Sequence, residues 1–382
     1  MTPEKILLSA LRAAACGEPI SEEVKSACTP EALERVCVLA QSHDLAHMLG
    51  QVLSPLKLPE CQPLQKLKRA TFTAVQRYVQ LDYELKRICE VFEKAQIPHI
   101  PLKGAVIRKF YPEPWMRTSC DIDILIHEAD LERAAQALVK ELSYTTDNKK
   151  KFHDMWFFAP SGVHLELHFS ILETMENIDG LLGRVWEFAA AETEFRYKLT
   201  NEFLAFHLMA HMAYHFTGGG SGIRSVLDIF LLRRQKAYDE TVLRTYLAQC
   251  GIEKFYDAVL TLSEVWFEGA APTALTEKMS NFLLAGGTYG TQKQQIIIKQ
   301  QRKGGKAKYL LSRIFMPYNE LKYRYRVLEK CPILYPVMLV CRWVELPFGG
   351  RLKKSVKEAK ITLNSSKDQS QGVDDFLRQI GL

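Results

Sequence analysis

The sequence predicts an α+β protein: a small mixed β-sheet with its own helices, flanked by N-terminal and C-terminal helical regions. Three observations predict it. Apolar residues recur at helical spacing near both ends of the chain; in 67–94, Ala70, Ala74, Tyr78, Leu81, Leu85, Ile88 and Phe92 fall on one face. Between about 96 and 175 the pattern shortens to apolar runs and strict alternation, the signature of strands. Lys103-Gly104, Tyr111-Pro112-Glu113-Pro114 and Ala159-Pro160-Ser161-Gly162 punctuate those runs as turns. With 382 residues the chain has room for more than one core. The reading divides it into an N-terminal helical region (1–95), an α/β core (96–175), a C-terminal helical domain (176–356) and a polar tail (357–382).

Taken in order, Met1 to Cys16 reads as an amphipathic helix. Glu4 ahead of its apolar run and Arg12 inside it argue against a signal peptide. Thr29 is an N-cap for a helix opening at Pro30, and Ser54 to Pro63 is a Pro-rich connector. In the core, Ile97 to Leu102 reads as a strand, Gly104 to Phe110 as a short helix, and Cys120 to Ile126 as a second strand. Glu128 to Leu142 is an amphipathic helix, and 155–158 with 163–169 form a hairpin. From about 180 the chain reads as helical again: 203–214, ending at the Gly218–Gly222 run, then 223–234, 241–250, 254–267 and 273–284. The span 293–308 is polar and basic, and 357–371 is polar and reads as a mobile tail section.

Composition narrows the class without naming a ligand. A net charge of +6 and a pI near 8.7 favour an anionic partner, be it nucleotide, nucleic acid or polyanionic surface. Nine scattered cysteines without a C-x-x-C pair exclude a zinc-knuckle reading and point to reduced thiols in a cytoplasmic protein. The apolar stretch 331–341 is too short to span a bilayer and holds Pro332 and Pro336, so no membrane span is expected.

The chemistry lies in Asp121-Ile122-Asp123-Ile124-Leu125-Ile126. Side chains on a strand alternate, so Asp121 and Asp123 share one face and the isoleucines the other. Paired carboxylates repel unless a cation sits between them. In 163–170 the same alternation sets Glu166 on the polar face, where an adjacent strand brings it beside the aspartates. Three such carboxylates can hold two Mg²⁺ ions, with Mn²⁺ as a substitute, for two-metal phosphoryl transfer. Lys103-Gly104 at a strand-to-helix turn supplies an anion site: a point charge, close backbone approach and helix N-terminal amides. Arg117 adds a cation near the acids, or serves as a structural partner of Asp121.

Leu-Lys-Gly, Tyr-Pro-Glu-Pro, Arg117, Asp-Ile-Asp-Ile-Leu-Ile and Leu-Glu-Leu-His together resemble a bacterial nucleotidyltransferase family of the DNA polymerase beta superfamily, one in which Lys-Gly replaces the usual Gly-Gly or Gly-Ser turn. Weaker resemblance extends to 39–46 and to His207, His211, Arg224 and Asp228. The resemblance implies metal binding by Asp121, Asp123 and Glu166, and phosphate contact by Lys103 and Gly104. It further implies transfer of a nucleotidyl group from an NTP such as ATP, with release of pyrophosphate. The acceptor is left open among a small molecule, a sugar, a protein and an RNA end. A non-catalytic nucleotide- or polyanion-binding protein of the same fold is the alternative.

His164 and His168 flank Glu166 on its own face, so that one of them would orient an acid or touch a phosphate. His207, His211 and His215 repeat every four residues; packing or a contribution to the cleft is preferred over a metal or proton-transfer site, and no H-E-x-x-H is present. A hydrolase built on that stripe is the third reading. Lys293, Lys299, Arg302, Lys303, Lys306, Lys308 and Arg313, followed by tyrosines interleaved with Lys322, Arg324 and Arg326, would suit a nucleic-acid backbone, but without an RNA-binding signature nucleic acid is not the favoured partner.

Overall fold

Helices begin where a side-chain oxygen can accept the first free amides. Thr2, Ser21 and Thr29 cap the helices Pro3–Cys16, Glu22–Ala27 and Pro30–Ser42, with Thr29 Oγ1 accepting from the Ala32 amide at 3.3 Å. Ala46–Leu53 and the long Gln62–Lys94 helix complete the N-terminal region. The computed structural model describes residues 1–147, 149–325, 327–345, 351–364 and 367–382; Arg326 of the basic stretch lies outside them, as do residues 365 and 366 of the polar span.

The sheet has five strands: β1 (His99–Pro101), β2 (Asp121–Ile126), β3 (Thr145–Thr146), β4 (Asp154–Phe158) and β5 (His164–His168), ordered β1-β2-β5-β4-β3. β2 and β5 run parallel while the other pairs are antiparallel, which makes the sheet mixed. On one face Ile122, Ile124, Ile126, Leu165, Leu167, Met155 and Phe157 pack with Leu85, Ile88 and Phe92 of Gln62–Lys94 and with Leu131 and Leu138 of the helix Leu131–Leu142. The other face turns toward the C-terminal helices, and there Leu125 joins a larger core that contains Phe203, Phe206 and Met209. Alternation along β2 therefore splits the two cores, as its sequence requires.

The C-terminal helices include Asn201–Gly218, Ile223–Arg234, Glu240–Gln249, Glu253–Phe267 and Ala274–Leu284. The glycine run after the first of them is a packing device. Gly220 has φ +140°, and a Cβ there would meet the Gly290 backbone at 2.8 Å.

Two spans differ from their sequence reading. Where continuous helix was expected after about 180, a hairpin forms from β6 (Ala189–Ala191) and β7 (Tyr197–Leu199). Its Phe195 carbonyl accepts from the His99 amide at 2.9 Å, so it covers the free edge of β1; pairing with that edge outweighs the helical preference of its alanines. The polar span 357–382 begins inside the helix Arg351–Asn364 and continues in the helix Lys367–Gln379. Phe376, Leu377 and Ile380 fall on one side of the second helix and are buried, with Phe376 against Phe282. The basic span forms helices Gln292–Arg302 and Lys306–Ile314, the first with Ile296, Ile297 and Ile298 buried. Among the described residues, no helix is long and apolar enough to cross a membrane.

Candidate active site

The parallel register of β2 and β5 sets Asp123 opposite Glu166 and Asp121 opposite His164. Side-chain ligand atoms of Asp121, His164 and Glu166 lie within 4.8 Å of one another, and so do those of Asp123, Glu166 and His168. Glu166 thus belongs to two donor sets, side by side on the polar face.

The charges are unequal. Burial, then the nearby Asp123 and Glu166 carboxylates, raise the Asp121 carboxyl above its ordinary range. Asp123 is 7% exposed; its burial favours the neutral form, but Lys103 and a hydrogen bond from His168 outweigh that and hold it well below the usual carboxylate range. His168 Nε2 donates to Asp123 Oδ1 at 2.8 Å and lies 3.5 Å from Glu166 Oε2. Burial works to lower the His168 pKa, yet those two acids raise it. His164 stacks on Phe158, with its Nδ1 4.0 Å from Glu166 Oε1.

Lys103 ends the segment after β1 with φ +42°, a backbone region that favours glycine. Its Nζ lies 3.6 Å from Asp123 Oδ1. Burial disfavours the ammonium, but Asp123, Glu173, Glu166 and Asp121 more than restore it and raise its pKa. The helix that follows, Gly104–Ile107, has a single turn, and the Ala105, Val106 and Ile107 amides already donate to the carbonyls of Leu102 and Lys103. The charge this turn offers a phosphate is therefore that of the lysine side chain. Gly104 serves close packing: a Cβ there would lie 3.0 Å from Ser119 Cβ.

The loop 111–120 leads into β2 and is fastened from both helical regions. Arg117 forms a bidentate pair with Asp228 of Ile223–Arg234, its Nε 2.8 Å from Oδ1 and its Nη2 2.8 Å from Oδ2. Tyr111 donates to the same Oδ1 at 2.6 Å. The structural partner of Arg117 is thus Asp228 and not Asp121. Asp44 accepts from the Thr118 hydroxyl at 2.8 Å and from Arg224 at 2.7 Å. Arg77 donates to the Ser119 and Cys120 carbonyls, and His47 to that of Met116.

Two chambers open on this face. One, of about 320 Å³, is lined by Lys103, Gly104, Arg117, Asp121, Asp123, Glu166 and Arg224. The other, of about 300 Å³, is lined by Phe152, His153, His168, Glu173, His207 and Tyr214. Lys103, Glu166, His211 and His215 border both. The histidine stripe of Asn201–Gly218 thus closes the cleft from the helical side. His207 is 1% exposed and neutral, its pKa lowered to about 3 by burial and by Lys103. Burial and His211 lower that of His215 to about 4. Among the described residues the stripe forms no group of three ligand atoms within 4.8 Å of one another.

Glu173 escaped the sequence reading: no motif marks a lone acid in Ile171-Leu172-Glu173-Thr174. It lies 2.6 Å from His211 Nδ1. Asp44 and Asp228 acquire their site roles only through contacts 74 and 111 residues away in the chain, with Thr118 and Arg117 respectively.

Neither the curated proteins nor the solved structures include a match to this chain. A protein family described as uncharacterised nucleotidyltransferase does match, over residues 29–268, from the Thr29 cap to the end of the Glu253–Phe267 helix. That span takes in the sheet, the loop 111–120 with its fasteners and the histidine stripe, and the chain belongs to the uncharacterised nucleotidyltransferase family.

Proposed function

We propose that the protein is a Mg²⁺-dependent nucleotidyltransferase that moves a nucleotidyl group from an NTP to an acceptor hydroxyl and releases pyrophosphate. The observation that carries this reading is the convergence of Asp121, Asp123 and Glu166 on a chamber that also holds Lys103 and Arg224. The donor set fits divalent cations. Its carboxylates crowd one another enough to raise Asp121, and Glu166 is shared between two groups of ligand atoms. Asp121, Asp123 and Glu166 would hold the ions, with His164 and His168 orienting the carboxylates. Bound there, the metal would neutralise charge on the phosphates and lower the pKa of an oxygen nucleophile.

The chain's own part is placement. Lys103 carries a charge for the phosphates at the boundary between the chambers, and Arg224 adds a second at the first chamber. Arg117 fixes the loop beneath them through Asp228. Label transfer from each α-labelled NTP, with Mg²⁺ and a cell extract as acceptor source, tests the reading. Wild type is expected to transfer label and release pyrophosphate. If it matches Asp121→Ala/Asp123→Ala with every NTP, the transferase reading is wrong.

A further inference from the structure

The second chamber has its own chemistry. Glu173 is nearly buried, and its carboxylate accepts from His211 Nδ1 at 2.6 Å. Burial works to raise Glu173, but the bond from His211 holds it at about 2. A carboxylate takes a proton donor, so it fixes the tautomer: Nδ1 carries the hydrogen and Nε2 presents a lone pair. His215 Nε2 lies 3.1 Å from His211 Nε2 and, with that tautomer, donates to it. Both histidines border the chamber that holds Asp121, Asp123 and Glu166 as well as the chamber that holds Glu173. A carboxylate–imidazole pair aimed at a reaction site is the arrangement that turns a hydroxyl into a nucleophile.

The lining also selects what enters. Among the described residues, Lys103 is the one lysine or arginine bordering the second chamber, and it already faces Asp123. Glu166 and Glu173 add two acids, while Phe152, Ile171, Leu172 and Tyr214 give it an apolar wall. Among the described residues, Arg117 and Arg224 border the first chamber and no arginine borders the second. A phosphate-bearing acceptor would be repelled by the Glu166 and Glu173 carboxylates and would compete with Asp123 and the NTP phosphates for Lys103; a hydroxyl compound free of anionic groups would face no such repulsion.

We infer that His211, oriented by Glu173, is the general base for an acceptor hydroxyl bound in the second chamber, and that this acceptor carries no anionic group. The inference rests on the transferase reading above. The hydroxyl displaces His215 as the donor to His211 Nε2. Its O–H bond breaks with the proton passing to that nitrogen, its oxygen lone pair forms the new bond to the α-phosphorus, and pyrophosphate leaves with the electrons of the Pα–O bond.

The test uses a low-molecular-weight cell filtrate split on an anion exchanger, with α-³²P-labelled NTPs and Mg²⁺. Wild type is expected to label a compound in the flow-through, and Asp121→Asn to label nothing. His211→Ala should lose about 10²- to 10⁴-fold in rate, the usual worth of a general base, and regain part of it with added imidazole. Its affinity for a non-hydrolysable NTP should not change, which shows that the variant is folded. Glu173→Gln should lower kcat with little change in KM, and Glu173→Asp should restore it. Transfer by His211→Ala at the wild-type rate overturns the base assignment, and label found only in the bound fraction overturns the acceptor class; both leave the transferase reading standing. Absent labelling in the filtrate, with transfer to the whole cell extract retained, also overturns the acceptor class; equal, absent labelling by wild type and Asp121→Asn with both sources would sink the transferase reading and the inference with it.

Discussion

The two faces of the β2–β5 pair come from the same short strands and are held in opposite ways. On one, Ile122, Ile124, Leu165 and Leu167 are buried among Leu85, Ile88, Leu131 and Leu138, and apolar area alone holds them. On the other, Asp121, Asp123 and Glu166 oppose one another, and the face persists through particular partners: Lys103 and His168 beside Asp123, and Asp228 behind the loop that delivers β2. The first face fails by leaving a void, the second by leaving a charge alone. Stability is written on one side of the sheet and chemistry on the other.

The comparison breaks most visibly at Asp121. Asp121→Asn is expected to reduce label transfer to background while raising the melting temperature, because the raised pKa of Asp121 marks a carboxylate whose charge the fold disfavours. A lower melting temperature would mean that the acids support the fold and the two faces are not divided as described.

Asp228 tests the fastening behind the charged face. Asp228→Ala leaves the Arg117 guanidinium buried without its carboxylate, a loss of about 3–5 kcal/mol in a urea titration. Leu165→Ala on the apolar face should cost about 2–5 kcal/mol through its cavity. The two variants should part in activity. Below its unfolding transition Leu165→Ala should keep the wild-type rate per folded molecule, whereas Asp228→Ala, with its loop loosened, should not. Equal activity in both would show that the loop needs no fastening from Ile223–Arg234.

This division also explains what was legible in the sequence. Alternation of Asp121 and Asp123 with the isoleucines, and of Glu166 with Leu165 and Leu167, is local; it fixed strands, faces and the three acids without a tertiary contact. The Pro30 helix and Ile223–Arg234 were equally legible from caps and periodicity. What escaped depends on distant partners. In Lys103-Gly104 the glycine invites the unusual dihedral, yet the lysine adopts it and the glycine is there for Ser119. The partner of Arg117 lies on another helix, and Glu173 gains meaning only beside His211. The β6–β7 hairpin read as helix because the β1 edge that captures it lies some 100 residues upstream.

The smallest effect concerns pH and tests whether the charged face reaches the helix above it. His207 is buried; burial, Lys103 and His211 lower its pKa to about 3, against the upward pull of Glu173 and Asp123. In the unfolded chain the same ring titrates near 6.5. As pH falls below that value the unfolded chain gains a proton that the folded chain refuses, so stability drops until the pH reaches about 3. Between pH 7 and pH 5 this amounts to about 2 kcal/mol. His207→Leu removes the site, so the stability gap between wild type and variant should shift by that amount over the interval in paired urea titrations. The apolar face predicts no such dependence: Leu165→Ala should keep a constant gap from wild type. A constant gap for His207→Leu as well would mean that the ring takes up its proton in the fold as readily as in the unfolded chain, the nearby acids offsetting its burial.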